Sequence, residues 1–554
     1  MAESSYSCTA AQQYADHVQR VARLDNALRV LMGERAATPE EPEDAFGLAL
    51  EAFTLIAEDS FEAGSLRALE ALRLAADPDA LALARAVAGL AVACWPDAHG
   101  WFAEDPLLAA FHDPSPLSPH LAPVIVGLLA EAALACARLE LAVALSGRAG
   151  EPPSGIFGTA HHPYLTFMQT SRARILAFHG DIAGAQRWVD LALVSANGPS
   201  ASFLARGTAA LVRGNADQRR ATLELVDAVE SSELEPRGIV ARGCHVLAAY
   251  GAIAIGDLDR AARLMLLAGD DADLSRLRII DRVLGLEMLV AVAVMEKDPV
   301  AAEAWQSRAA VLRGHPIAES TVHRIDSRVA FVRGDGDAAI AAAERAIARA
   351  HADGRAVEEA EAAILLGRAR ILQDLRSEAV RGLAEAASSA EGLGHLAVRR
   401  AAARELRTVG RRLPPGASSG WQGLSDRERE VATLLVTGAS NAELARTLFV
   451  SEHTVRMHVS RVLQAFGVAT RAGVAAALAP TAPPREPPPL TPRQLEIVGG
   501  LVTGCSNREL AQKLGISEAT VEKHVSAILV RWGVASRAGV VGLAVSAGIT
   551  DAPG

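Results

Sequence analysis

The side chains with the most chemistry to offer lie close together near the C-terminus. After Ser451, Val455, Val459, Val462 and Phe466 recur at helical spacing and mark one apolar face. His453, Arg456, Met457, Ser460, Arg461 and Gln464 fall on the opposite face. Two guanidiniums on the exposed side of a serine-capped helix suit insertion into a nucleic-acid major groove, where arginine reaches phosphates or guanine edges. The pattern returns 66 residues later with Glu522, Lys523, Ser526 and Ala527 in the corresponding places. A carboxylate at 522 repels phosphates but can accept a hydrogen bond from a cytosine amino group.

Catalytic chemistry is sparse by comparison. The chain has three lysines, Lys297, Lys513 and Lys523, and none sits in a phosphate-cradling G-x-x-x-x-G-K-[ST] loop. H-E-x-x-H is absent, as is the strand–helix alternation of a phosphoacceptor receiver domain, and the one G-x-S-x-G spacing, Gly416–Gly420, falls in the Pro/Gly/Ser-rich linker. Five cysteines lie far apart without a C-x-x-C pair, so they read as reduced, buried apolar residues and not as a zinc site. The expectation is therefore no enzyme, no cofactor and no metal. Trp95, His99 and Trp101, and separately His161 and His162, could line a ligand pocket. The plainer reading of the tryptophans is core and of the paired histidines a solvated loop. His458 and His524 read as structural, and Glu428, Glu430 and Glu443 as caps and solvated or salt-bridged carboxylates.

The elements that carry the arginine-bearing helix form a tandem duplication. Laid over one another without a gap, residues 424–478 and 490–544 are identical at 28 of 55 positions. Ser425-Asp-Arg-Glu428 and Thr491-Pro-Arg-Gln494 are capping boxes opening a first helix. Ser440-Asn-Ala-Glu443 and Ser506-Asn-Arg-Glu509 open a short second helix, Ser451 and Ser517 cap a third, and Arg471 or Arg537 lies in a fourth. A short helix, a tight turn and a longer helix make a helix-turn-helix. The string L-S-D-R-E-R-E-V…G-x-S-N-x-E-L-A…S-E-x-T-V-x-x-H-V-S…G-V-A-x-R resembles the LuxR-type helix-turn-helix domain of bacterial transcription regulators, twice over. The resemblance implies DNA contacts from Thr454, Arg456, Met457, Ser460 and Arg461 in the first copy. In the second it implies contacts from Thr520, Glu522, Lys523 and Ser526. Large regulators of this family join a helical-repeat region to such a terminal domain; the nucleotide-binding module that they carry is missing here.

The remainder of the chain reads as stacked helices. Half of its residues are hydrophobic but only 4% are aromatic, a composition that favours packed helices over a sandwich or barrel. Ala/Leu-rich segments are punctuated by Gly180-Asp181, Gly214-Asn215, Gly256-Asp257, Lys297-Asp298, Gly334-Asp335 and Gln373-Asp374, a drifting period typical of helix-pair solenoids. This resembles tetratricopeptide-like repeats. The expected fold is all-α, a TPR-like solenoid followed by two four-helix LuxR-type domains. Its order is an N-terminal helical segment (1–45), a repeat region (46–410), a linker (411–423), domain 1 (424–478), a proline-rich linker (479–489) and domain 2 (490–546). Six prolines in Ala479–Pro489 predict an extended polyproline spacer of roughly 34 Å, about one turn of B-DNA.

Net charge is −10 overall, yet the two copies carry small positive charges, six Arg against five carboxylates and six Lys or Arg against four. Nothing reads as a signal peptide or membrane span, which points to a cytoplasmic protein. Two functions fit the sequence. The first is a regulator that binds double-stranded DNA while its repeats receive a signal or a partner, RNA polymerase or another protein, with a homodimer as a further assembly. The second is a repeat scaffold whose helix-turn-helix domains mediate dimerisation instead of DNA binding.

Overall fold

A computed structural model describes residues 2–32, 44–102, 104–112, 117–119, 121–149, 163–235, 237–413, 421, 424, 426–436, 438–466, 468, 470–478, 490–532 and 537–546. Every regular element among them is a helix. The chain divides into two compact units, residues 1–411 and 412–554. No helix among the described residues is long and apolar enough to cross a membrane.

In the first unit consecutive helices fold back on one another across short turns, and each pair packs on the next. One device recurs at the turns. Gly180, Gly256, Lys297 and Gly334 adopt left-handed φ angles that stop a helix. The following Asp181, Asp257, Asp298 and Asp335 then accept a backbone N–H three residues on and start the next.

Gly214-Asn215 departs from this pattern. The helix Pro199–Asn215 runs through both residues, and the turn falls at Asp217, with φ 58°. Gly214 is a packing glycine: a Cβ there would sit 2.8 Å from the Gly251 carbonyl oxygen of the neighbouring helix Gly238–Ala254. Gly207 and Gly251 make the same kind of approach, to the Cys244 and Ala210 carbonyls, so the two backbones nearly touch.

Buried ion pairs tie distant repeats together. Arg174 donates two 2.9 Å hydrogen bonds to Glu131, the Ser171 hydroxyl donates a third, and Arg278 approaches at 3.3 Å. Burial works to raise the Glu131 carboxyl, but the two guanidiniums and the serine hold it below the usual carboxylate range. Arg278 also pairs with Asp281, which accepts from the Tyr250 hydroxyl at 3.0 Å.

The late repeats return to the early ones. Helices Ala356–Leu372 and Leu396–Thr408 touch Pro163–His179 and Pro199–Asn215, and Arg400 pairs with Asp217 while donating to the Ala254 carbonyl. The unit thereby curls around a cavity of about 840 Å³ that opens to solvent. The sequence candidates for a pocket are not among its lining residues. Trp95 packs against the core and Trp101 is half-buried. His161 and His162, like the side chain of His99, lie outside the described residues. Cys94, Cys136 and Cys244 are buried free thiols, and burial pushes Cys94 and Cys136 up to about 12.

One helix offers an internally controlled test of the close packing. A Cβ on Gly251 would lie 2.5 Å from the Ala210 oxygen, whereas one on Gly243 meets nothing within 4 Å. Gly243→Ala should therefore stabilise the unit by about 0.5–1 kcal/mol through backbone entropy. Gly251→Ala should destabilise it by about 1–3 kcal/mol, because a helix backbone must move. Urea unfolding followed by tryptophan fluorescence checks both signs.

Candidate nucleic-acid interface

The second unit contains two four-helix copies. The first comprises Asp426–Val436, Asn441–Leu448, Glu452–Ala465 and Arg471–Leu478; the second comprises Pro492–Val502, Asn507–Leu514, Glu518–Trp532 and Arg537–Ser546. Full capping boxes open Asn441–Leu448, Pro492–Val502 and Asn507–Leu514. Ser425, expected to cap the first helix of copy 1, lies outside the described residues, as does the proline-rich linker 479–489. Hydrogen bonds from the Ser440 and Ser506 backbone and hydroxyl groups hold Glu443 and Glu509 below the usual range, which places both carboxylates as caps.

The third helix of copy 1 presents two distinct faces. Val455, Val459, Val462 and Ala465 are buried, while Arg456, Met457 and Ser460 are exposed. Thr454 is half-buried and shares a 2.8 Å hydrogen bond with the Ser451 hydroxyl, so its side chain belongs to the cap. Thr520 repeats this with Ser517 at 2.7 Å, and Glu522, Lys523, Ser526 and Ala527 are exposed.

Arg461 differs from the plain exposed residue expected of it. It is half-exposed and reaches back to Glu428, a buried carboxylate of the first helix, at 3.5 Å. In copy 2 Gln494 replaces Glu428 and Ala527 replaces Arg461. The charge pair disappears as a pair, so Ala527 reflects the loss of a bridge within the domain as well as of a surface cation.

Two further arginines build the domain, and sequence spacing alone assigned them no role. Arg471 donates to the Ala439 carbonyl at 3.1 Å and to the Asn441 side chain; Arg537 repeats this on the Cys505 carbonyl and Asn507. Each clamps the fourth helix to the entry of the second. Arg427 and Arg493 likewise donate to the Leu448 and Leu514 carbonyls at the end of that second helix. The signal was the coincidence of S-N and R-A-G in both copies, which becomes meaningful only once the two motifs are seen to touch.

The turn between the second and third helices requires a left-handed residue. Copy 2 uses Gly515 (φ 63°), whereas copy 1 holds Phe449 there (φ 53°) with its ring 94% exposed.

The copies pack on each other through their fourth helices, and each fourth helix also touches the first helix of the other copy. Ala472 of copy 1 is buried in the apolar cluster of copy 2, and the Thr470 hydroxyl donates to the Gly504 carbonyl at 3.4 Å. Such reciprocity is that of an isologous, two-fold-like contact. It leaves both third helices with their polar faces exposed.

A capped short helix, a left-handed turn and a longer helix with a polar outer face define a helix-turn-helix unit, present here twice. Residues 422–478 and 488–544 each match the bacterial regulatory proteins of the luxR family. The chain is 41% identical over 66 residues to the transcriptional regulatory protein MctR of Rhizobium johnstonii, covering 12% of this chain and 31% of that protein. It is 50% identical over 48 residues to the spore germination protein GerE of Bacillus subtilis, covering 9% of this chain and 65% of that protein. In both cases the match spans less than two thirds of the relative's own length.

A left-handed conformation costs a non-glycine residue about 1–2 kcal/mol. Phe449→Gly should therefore stabilise copy 1 by about 1 kcal/mol, seen as roughly fivefold slower amide exchange in Asn441–Leu448. The amides of Asn507–Leu514 should not change.

Proposed function

We propose that the chain is a DNA-binding transcription regulator in which one polypeptide supplies two recognition helices, and in which the helical-repeat unit receives a signal or a protein partner such as RNA polymerase. The observation that carries this reading is the exposed Arg456–Met457–Ser460 face on a capped third helix, inside a domain matching the luxR family. Arg456 reads a base edge or phosphate, Met457 and Ser460 fill the groove beside it, and Thr454 and Thr520 set the helix N-termini against the backbone. Arg461 contributes to phosphate contact and to positioning through Glu428.

The dimerisation reading also finds an observation in its favour, since the copies do pair. That pairing is satisfied within one chain and uses the fourth helices, so the third helices remain available for DNA. An isologous arrangement implies half-sites in inverted orientation. The modest positive charge of each copy implies few neutralised phosphates and a shallow dependence of affinity on salt. A gel shift of the full chain on genomic fragments at several salt concentrations tests the reading, and folded protein that shifts nothing at low salt would sink it.

The copies should contribute unequally. Arg456→Ala should cost about 1–3 kcal/mol of specific affinity if the guanidinium is bidentate on a base. Glu522→Lys should raise affinity for any duplex by removing repulsion and adding a phosphate contact. A silent Arg456→Ala together with loss of natural-site binding in Glu522→Lys would make Glu522 the reader instead.

Pairing of the copies should matter only on two half-sites. Ala472→Glu puts a carboxylate into the contact between them. It should weaken binding to an inverted-repeat site about tenfold or more while leaving single half-site affinity unchanged, as read by fluorescence anisotropy.

A further inference from the structure

The cavity formed by the repeat unit is large enough for an organic molecule, and its lining combines an apolar wall with many arginines. At about 840 Å³ it lies within the range of small-molecule sites. Leu134, Phe178, Leu284, Met288 and Ile364 supply apolar wall. Against that wall the lining carries nine arginines and four carboxylates, and Glu131, Asp353, Glu405 and Asp217 pair with several of those arginines from behind the lining.

Several of those guanidiniums are occupied but not saturated. Arg324 is 1% exposed and bound by Glu287 and Glu361, while Arg328 draws on the same Glu287 at 2.9 Å. Arg355, 3% exposed, donates to the Ile317 carbonyl at 2.9 Å. The Nε atoms of Arg324 and Arg355 and Nδ1 of His395, itself 4% exposed, are buried without a hydrogen-bond partner. Burial pushes His395 down to about 4, so its ring is neutral at pH 7. An arginine has five N–H donors and no acceptor, so this interior holds more donors than the protein's own oxygens satisfy. At the edge of the cavity the last repeat helix, Leu396–Thr408, adds Arg400, Arg404 and Arg407 on one stripe. Arg400 is taken up by Asp217, Arg404 is exposed but lies 3.7 Å from Glu405, and Arg407 is exposed.

A plain hydrocarbon would leave the Arg324 and Arg355 N–H donors unsatisfied, and a cation would supply no acceptor to them or to the rim arginines. We propose that the cavity binds an amphipathic organic anion, its acidic head on the arginine stripe and buried donors and its apolar body against the Leu134–Phe178–Met288 wall. This names the chemical class of the signal in the reading given above, and it rests on that reading for its regulatory meaning, though not for binding itself.

Binding is tested on the full chain without DNA, by calorimetric titration with decanoate, 1-decanol and decyltrimethylammonium. Decanoate should bind at one site per chain, about tenfold or more tighter than decanol, and the cation weakest. Because substitutions at Arg324 can unfold the unit, the rim is altered instead. Arg404→Gln with Arg407→Gln should weaken decanoate about tenfold and leave decanol unchanged, whereas Ala401→Trp, which takes up part of the cavity, should weaken both. The inference is overturned by equal affinity for decanoate and decanol, by no decanoate binding to folded protein, or by decanoate binding that neither variant alters. A chain that binds decanoate as described but whose DNA affinity ignores it supports the site and refutes signal reception. One that binds decanoate and never binds DNA refutes the regulator reading alone.

Discussion

Where Arg174 meets Glu131, two parallel hydrogen bonds of 2.9 Å join helices 43 residues apart inside a buried environment. The same geometry recurs throughout the protein. The chain has 55 basic residues and only three of them are lysine, so nearly every cation is a planar fork able to satisfy two acceptors at once. Arg278 bridges Glu131 and Asp281, Arg324 bridges Glu287 and Glu361, and Arg471 and Arg537 bridge a carbonyl and an asparagine. A lysine supplies a point charge without a fixed fork, and could not fix two partners in one plane. Leaving a buried carboxylate unpaired costs several kcal/mol, so these forks also fix which helices are neighbours.

Small side chains supply the complementary constraint. Alanine and glycine let Pro199–Asn215 and Gly238–Ala254 approach until their backbones nearly touch. Where the repeats close on themselves the opposite happens, and an interior volume remains. The closely packed pair is itself part of the wall, through Leu211 and Asn215 on one helix and Leu247 and Tyr250 on the other. Among the polar groups lining that hollow, the Nε atoms of Arg324 and Arg355 lack a hydrogen-bond partner.

In the second unit duplication preserved the framework and freed the surface. The serines that cap the second and third helices, the arginine clamps and the buried aliphatic positions are retained in both copies, with Val462 becoming Ile528, while position 456 changes from Arg to Glu at 522. Copy 1 holds the charged pair Glu428 and Arg461 where copy 2 holds the neutral Gln494 and Ala527, so neither copy leaves one member of the pair without the other. The fourth helices remain small and apolar, and in one chain they meet each other.

The sequence by itself determined whatever depends on neighbours along the chain. Aspartate after a left-handed residue fixed the starts of repeat helices, Ser-x-x-Glu fixed the helix-turn-helix entries, and the valine period fixed which face of Glu452–Ala465 is buried. Each of these is a hydrogen bond or a periodicity within a few residues. Gly214-Asn215 misled because a glycine that breaks a helix and a glycine that admits another helix look alike until the partner, Gly251, is in place. The pairing of the two copies, the Arg461–Glu428 bridge and the cavity between repeats roughly 250 residues apart were decided only by tertiary structure. Their partners are remote in sequence, and no local pattern records which distant oxygen a guanidinium will find.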